Sequence, residues 1–513
     1  MQNPHAPDQS AESALFSAVF AGDENAAVRL LRSGTDPDAA DEDGATLLYL
    51  AAMTNRPGLV RLLLAAGADP ALLSSGADLP LCGAACAGHH DVVRALLAAG
   101  AEPDQAEEGG FTALAWAVQL GHADTAEALL AAGADPGRPG PDGLTPLVSA
   151  VRRGSFGTVR ALLAHGARPA REALAEARRW PAGSVEAALH REVAEGADPA
   201  AVFVRRIPEY AGITVSVEVL RPDGGGHGRE QQTGHGAIAT VLEHALGVRA
   251  PFGELLDRAV PFADPANENW REAAGELAGR GDEVTYQAAA ALSRDADALR
   301  RAFAVDVLGR LSAADRSYAG RVLPLLVKAA DATGPAGEPV LARTLVRALG
   351  EPGDASATPH ILRYASHPDP SVRAMVAAAL HGLTPDGEGA GDDADPAALA
   401  EAAATTLAHL TGDADPVVRN RAVTALSWSA SDSLETRESL AERLTDSDPA
   451  TVAEAARGLA ARQDPRAVEP LARLLTDEDP AGAAYATAVE AVDEVTDERA
   501  RAMLRGTFPR VGT

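Results

Sequence analysis

Aromatic residues make up only 4% of this chain, cysteine occurs twice and lysine once, at Lys328. Each shortage excludes something. So few aromatics argue against large mixed cores and favour helices packed through small side chains, alanine above all. A single lysine confines lysine chemistry to Lys328; with the alanine excess, it marks a GC-rich bacterial genome. Two cysteines cannot build a disulfide framework. No apolar run approaches the roughly 18 residues that cross a bilayer, and the start, MQNPHAPDQSAES, lacks a basic-then-apolar signal pattern. The expected location is the cytoplasm.

Positive charge is scarce too. Lys and Arg number 45 against 73 Asp and Glu, a net charge of −28 with no basic block. Nucleic acid and anionic membrane surfaces are therefore repelled, and a basic protein partner is mildly favoured. A length of 513 residues exceeds what one core supports, so several domains or a repeat array are expected.

Repeats are what the chain has in abundance. GTDP, GADP, GAEP, GADP and GARP begin at Gly34, Gly67, Gly100, Gly133 and Gly166, each step 33 residues. SALF (13–16), TLLY (46–49), LPLC (79–82), TALA (112–115) and TPLV (145–148) keep the same period. So do Gly22, Asn55, Gly88, Gly121 and Gly154. The period predicts a helix–turn–helix unit: Ser or Thr caps a first helix, and a left-handed Gly or Asn ends it. A second helix such as VVRALLAAG then closes on the glycine of GADP. The TPLVSAVRRGSFGTVRALLAHGARP stretch (145–169) strongly resembles the ankyrin repeat. Five repeats are expected over 12–170 after a disordered 1–11, with 171–199, ending in a GADP at Gly196, as a degenerate cap.

The paired thiols and imidazoles of LCGAACAGHH (81–90) invite a metal reading. Yet Cys82 fills the slot that holds Tyr49, Ala115 and Val148 elsewhere, and Gly88 breaks the helix between Cys86 and His89. Cys82 and Cys86 are expected to be structural.

Beyond about residue 283 the unit changes. DPSVRAMVAAALHGL (369–383) and DPVVRNRAVTALSWSA (415–430) are the best of six helices that open with a turn, in most of them Asp-Pro. Asp caps, and Pro suits the first helical position. This pattern resembles HEAT repeats, particularly the short phycobilisome-lyase type, over 283–505, before a tail at 506–513. The resemblance implies an Asp–Arg ladder in which Asp369, Arg373, Asp415 and Arg419 are structural. TPDGEGAGDDADP (384–396) reads as an acidic loop. The order of arrays also resembles a group of actinobacterial proteins, a likeness that implies architecture and no mechanism.

Between the arrays, VFVRRI (202–207) and ITVSVEVL (213–220) predict a β-hairpin, RPDGGGHGREQQTG (221–234) a flexible loop, and GAIATVLEHALG (236–247) a helix. His227, His235 and His244 are weak metal candidates, since H-E-x-x-H is absent. The expected fold is mainly α: two α-solenoids joined by a hairpin-containing segment at 200–282.

The functional expectation is a non-enzymatic scaffold without a cofactor, holding a partner protein on the ankyrin concave face, with room for a second partner on the HEAT array. The ankyrin resemblance implies contact positions at Glu42, Asp43, Asp78, Phe111, Asp142 and Leu144 on the turns. On the helices it implies Met53, Leu120, Arg152 and Arg153. Phe111 is either an exposed anchor or packed on the neighbouring turn. The alternative, a lyase- or isomerase-type enzyme or chromophore-binding protein, rests on the HEAT likeness alone.

Overall fold

A computed structural model describes residues 9–180, 185–195, 197–198, 201–209, 212–221, 225–381 and 395–507. They divide into two compact units, Met1–Phe262 with Ala266–Ala273, and Ala263–Pro265 with Ala274–Thr513. Most of the expected N-terminal tail and all but the first residues of the C-terminal one lie outside the described residues, as do Gly196 and Pro199 of the sixth GADP and the acidic loop up to residue 394.

In the first unit the 33-residue period becomes helix pairs. They are α1 (Gln9–Ala21) with α2 (Glu24–Arg32), α3 (Leu47–Met53) with α4 (Pro57–Ala65), and α5 (Pro80–Cys86) with α6 (His90–Ala98). Next come α7 (Ala113–Leu120) with α8 (Ala123–Ala131) and α9 (Pro146–Arg153) with α10 (Phe156–Ala164). The left-handed residues fall where expected: φ is 52° at Asn55 and 72–80° at Gly22, Gly88, Gly121 and Gly154. Thr46 and Thr112 cap as expected, each accepting a backbone N–H at 3.2 Å. Ser13 does not, because α1 begins four residues earlier and encloses it, and α5 starts on Pro80 instead. First helices pack on first helices and second on second, over one continuous apolar cluster from Leu15 to Leu242.

That cluster changes the expected end of the array. Within 171–199, α11 (Arg171–Arg178) continues the first-helix layer, but α12 (Val185–Ala194) turns away to cover a sheet. Val185, Leu189 and Val193 meet Val215, Val217 and Val219 there. The next helix on the array is α13 (His235–Ala245), which packs on α11 and α10. A buried carboxylate fixes it: Glu243 accepts from Arg178 at 2.7 and 2.9 Å and from Arg258 of α14 (Phe252–Ala259) at 2.7 and 2.8 Å. Burial pushes this carboxyl up, but hydrogen bonds from the two guanidiniums outweigh it and hold the group below its usual range. Asn269, fully buried on α15 (Glu268–Gly279), accepts from Ala237 N at 2.8 Å and donates to Thr233 O at 3.2 Å.

The sheet has three strands, β1 (Val202–Glu209), β2 (Gly212–Leu220) and β3 (Gly226–Gln232), antiparallel in the order β1-β2-β3. The stretch read as a flexible loop is therefore largely a strand. Its glycines and charges carry no alternating apolar signal: residues 226–230 are exposed, and the one buried side chain, Gln232, is polar. Gly228 is required by close approach: a Cβ there would stand 2.8 Å from the Val217 carbonyl oxygen.

In the second unit, α16 (Glu283–Leu292) leads into an inner layer of long helices: α17 (Ala298–Ala314), α19 (Pro339–Gly350), α21 (Pro370–His381), α23 (Pro416–Trp428), α25 (Pro449–Ala461) and α27 (Ala483–Glu494). Interleaved with them are α18 (Ala319–Thr333), α20 (Thr358–Leu362), α22 (Pro396–Leu410), α24 (Leu434–Glu442), α26 (Val468–Asp477) and α28 (Glu498–Arg505). Asp415 and Asp448 cap α23 and α25 with Pro next, as the sequence pattern requires. Small residues let inner helices approach: a Cβ on Gly458 would sit 2.7 Å from that of Ser427. The expected Asp–Arg ladder is present with a shifted partner. Arg373 forks onto Asp413 at 2.7 and 2.9 Å, and Arg419 onto Asp446 at 2.9 and 3.4 Å. Asp369 and Asp415 instead accept backbone N–H groups of their own helices.

Candidate functional site

The 33-residue unit explains where polar groups gather in the first unit. The turns ahead of α7 and α9 and the C-terminal ends of those two helices meet along one groove. At the turn of α7, Phe111 is half-buried and stacks on Trp116, centroids 4.2 Å apart. The Trp116 Nε1–H donates to Glu107 at 2.9 Å, and the other oxygen of Glu107 accepts from Leu79 N at 3.0 Å, tying this turn to the preceding unit. Phe111 is thus both packed and partly presented.

At the end of α9, Arg152 is exposed, while Arg153 keeps only 11% of its side chain accessible. It donates to the carbonyl of Glu230 at 2.9 Å and pairs with its carboxylate at 2.5 Å. Gln231 donates to the Arg152 carbonyl. These contacts set β3 along the helix ends, and a groove of about 390 Å³ opens between them. Phe111, Asp142, Leu144, Arg152 and Arg153 line it, with Val118 and Gln119 from α7 and Arg229, Glu230 and Gln231 from β3.

Five of the ten expected contact residues therefore converge. Glu42 and Asp43 are exposed, Met53 is 37% exposed, and Asp78 and Leu120 are half-buried; none of these five lines the groove. Sequence reasoning missed the β3 wall. Its only available signal was the polar string REQQ, which resembles a loop until the pairing with β2 is seen.

The metal candidates are dispersed among other duties. His227 bonds the Val193 carbonyl at 3.2 Å. His235 is buried and stacked on Trp180 at 4.8 Å, and burial lowers its pKa to about 4. His244 is exposed near the end of α13. Among the described residues no three His, Cys, Asp or Glu side chains are grouped to hold a metal. Cys82 is buried with its thiol 4.0 Å from the Phe111 carbonyl, and burial pushes both thiols above their usual range. His89 behind them and His122 of the next repeat brace neighbouring units: His89 bonds the Ala52 carbonyl at 3.0 Å and His122 the Cys86 carbonyl at 3.1 Å.

Family models agree with this geometry. One described as ankyrin repeats (3 copies) matches residues 1–74 and 81–173, and one described as HEAT repeats matches 323–427 and 437–508. The chain is an ankyrin-repeat and HEAT-repeat protein. No curated protein matches it. Both repeat types are generally protein-interaction modules, compatible with a scaffold. Among the described residues no helix is long and apolar enough to cross a membrane. In the HEAT array the charges of the D-P turns bond within the array itself, as the Arg373 and Arg419 forks illustrate.

Proposed function

We propose that this ankyrin–HEAT protein is a non-enzymatic scaffold whose ankyrin side grips a segment of a partner protein in the groove between α7, α9 and β3. The supporting observation is the convergence there of two apolar side chains, Phe111 and Leu144, and an exposed arginine, Arg152, around a space of about 390 Å³. Aromatic and Arg side chains concentrate binding energy in interfaces. Glu42, Asp43 and Asp78 precede the groove on the turns and, with the net charge of −28, favour a partner whose body is basic. Binding of nucleic acid is disfavoured by the same field.

The test is affinity capture from the host's own lysate with the wild-type chain and with Gln119→Glu/Arg152→Glu, two exposed positions. A partner held by wild type and lost by a variant of unchanged melting temperature supports the groove. Equal retention by both sinks it.

A further inference from the structure

The groove has one wall that is a strand edge, and the register says which main-chain groups that edge offers. Arg221 N donates to Gly225 O at 2.6 Å and Thr233 N donates to Ile213 O at 3.1 Å. These pairs share the register that sets Val215 opposite Gln231, Val217 opposite Arg229 and Val219 opposite His227. In an antiparallel ladder hydrogen-bonded and non-bonded pairs alternate. Odd-numbered residues of β3 therefore bond β2, and Gly226, Gly228 and Glu230 turn their N–H and C=O groups outward. The Glu230 carbonyl agrees, since it accepts from Arg153 across the groove.

The two edges of the sheet are not equivalent. On β1 the same alternation turns Val204, Arg206 and Pro208 outward, and Pro208 has no N–H to offer. Proline and charge are the usual ways a protein blunts an edge. β3 carries charge at Arg229 and Glu230 but has no proline, so each outward residue keeps its N–H, and residues 226–230 are all exposed. Glycines at 226 and 228 leave nothing to hold off an incoming backbone.

Charge selects the occupant. Of the three arginines that line the groove, Arg153 pairs with Glu230 and Arg229 with Glu192 of α12, so the exposed Arg152 is the guanidinium placed to meet an incoming carboxylate. We propose that the first half of the β3 edge, exposed at Gly226, Gly228 and the Glu230 N–H, takes an extended segment of the partner protein as a fourth antiparallel or parallel strand. That segment carries a carboxylate that reaches Arg152 and an apolar side chain that sits on the Phe111–Leu144 wall. Main-chain pairing supplies the register and the alternate side chains the selectivity. The proposal rests on the groove reading above and gives it a binding mode; a basic partner body and a locally acidic segment are compatible.

The test selects a phage-displayed library of random dodecapeptides on the full-length chain and synthesises the enriched peptides. Enriched peptides should carry Asp or Glu. Glu230→Pro removes an outward N–H and should weaken them about tenfold, the scale of one lost main-chain hydrogen bond. Glu230→Gln loses the Arg153 ion pair but keeps the N–H, so its effect should stay within about threefold. N-methylating alternate peptide amides should abolish binding to the wild-type chain, while methylating the intervening ones should not; this arm decides even if Glu230→Pro misfolds. Binding indifferent to N-methylation, yet lost in Arg152→Glu, would overturn strand addition and keep the groove, as a docked helix would. Failure to enrich any peptide overturns strand addition outright, and the groove then stands or falls on the capture experiment.

Discussion

In the ankyrin array the side chains that cross from repeat to repeat include His89 and His122, each on a backbone carbonyl, and left-handed glycines shape the turns. In the HEAT array the crossing side chains include Arg373 and Arg419, each forked onto a carboxylate, and a glycine such as Gly458 lets helices touch. Both are solenoids in which a repeat leans only on its neighbours. The difference lies in what couples them. Left-handed turns and hydrogen bonds to carbonyls and to carboxylates such as Glu107 join the ankyrin repeats; forked Arg–carboxylate pairs and close helix contact join the HEAT repeats. The two should therefore fail under different perturbations.

The largest effect is expected from crowding the HEAT contact. Gly458→Val places a branched side chain where a Cβ alone would sit 2.7 Å from Ser427 Cβ and 2.9 Å from its Cα. Overpacking of this kind costs about 3 kcal/mol, and with helix backbones on both sides little can yield. Urea unfolding followed by amide exchange should show α23 and α25 losing protection while α5 to α8 keep theirs. Uniform loss across both arrays would show that the arrays do not melt separately.

Next in size is the ladder. Asp446 keeps only 3% of its side chain exposed, and its hydrogen bonds from Arg419 hold its carboxyl below the usual range; Arg373 does the same for Asp413. A carboxyl whose folded pKa lies below its unfolded one stabilises above the unfolded value, and loses that contribution as pH falls through the folded value. The HEAT array should therefore weaken below about pH 4. Asp446→Ala should remove about 2 kcal/mol at neutral pH and flatten that acid dependence. The ankyrin unit has carboxylate links of its own, Glu107 to Leu79 N and Glu243 to Arg178 and Arg258, so the variant rather than the other array is the control. Amide exchange across pH 3 to 7 compares α23 in the wild type and in Asp446→Ala; an acid response that the substitution leaves unchanged would show that the ladder does not cause it.

How much of this could be seen beforehand depends on whether a feature repeats. The helix pairs and their left-handed closures recur every 33 residues, so each copy corroborates the others. The D-P starts were visible for the same reason, but not the ladder's true partners. Asp413 and Asp446 stand two residues ahead of their D-P signals, and only three-dimensional stacking brings them to the arginine of the preceding repeat. The groove was half legible. Phe111, Asp142, Leu144, Arg152 and Arg153 follow from the ankyrin register, whereas Arg229 to Gln231 belong to a strand that occurs once and has no apolar alternation. Departures from the array, such as α12 leaving it and α13 rejoining it, happen once and leave no period to detect.

The smallest predicted effect sharpens the contrast most, because it asks for the same chemical change in the other array. Gly100 opens the GAEP string after α6 at φ 93°, and nothing lies within 4 Å of where its Cβ would stand. Gly100→Ala therefore meets no neighbour and pays only the left-handed strain, about 1 kcal/mol. Gly458 has no positive φ, so Gly458→Ala is all contact and no strain. If chemical denaturation ranks Gly458→Ala above Gly100→Ala, glycine is a spacer in one array and a hinge in the other. The reverse order would mean that the HEAT helices part easily, and that the ladder alone sets their spacing.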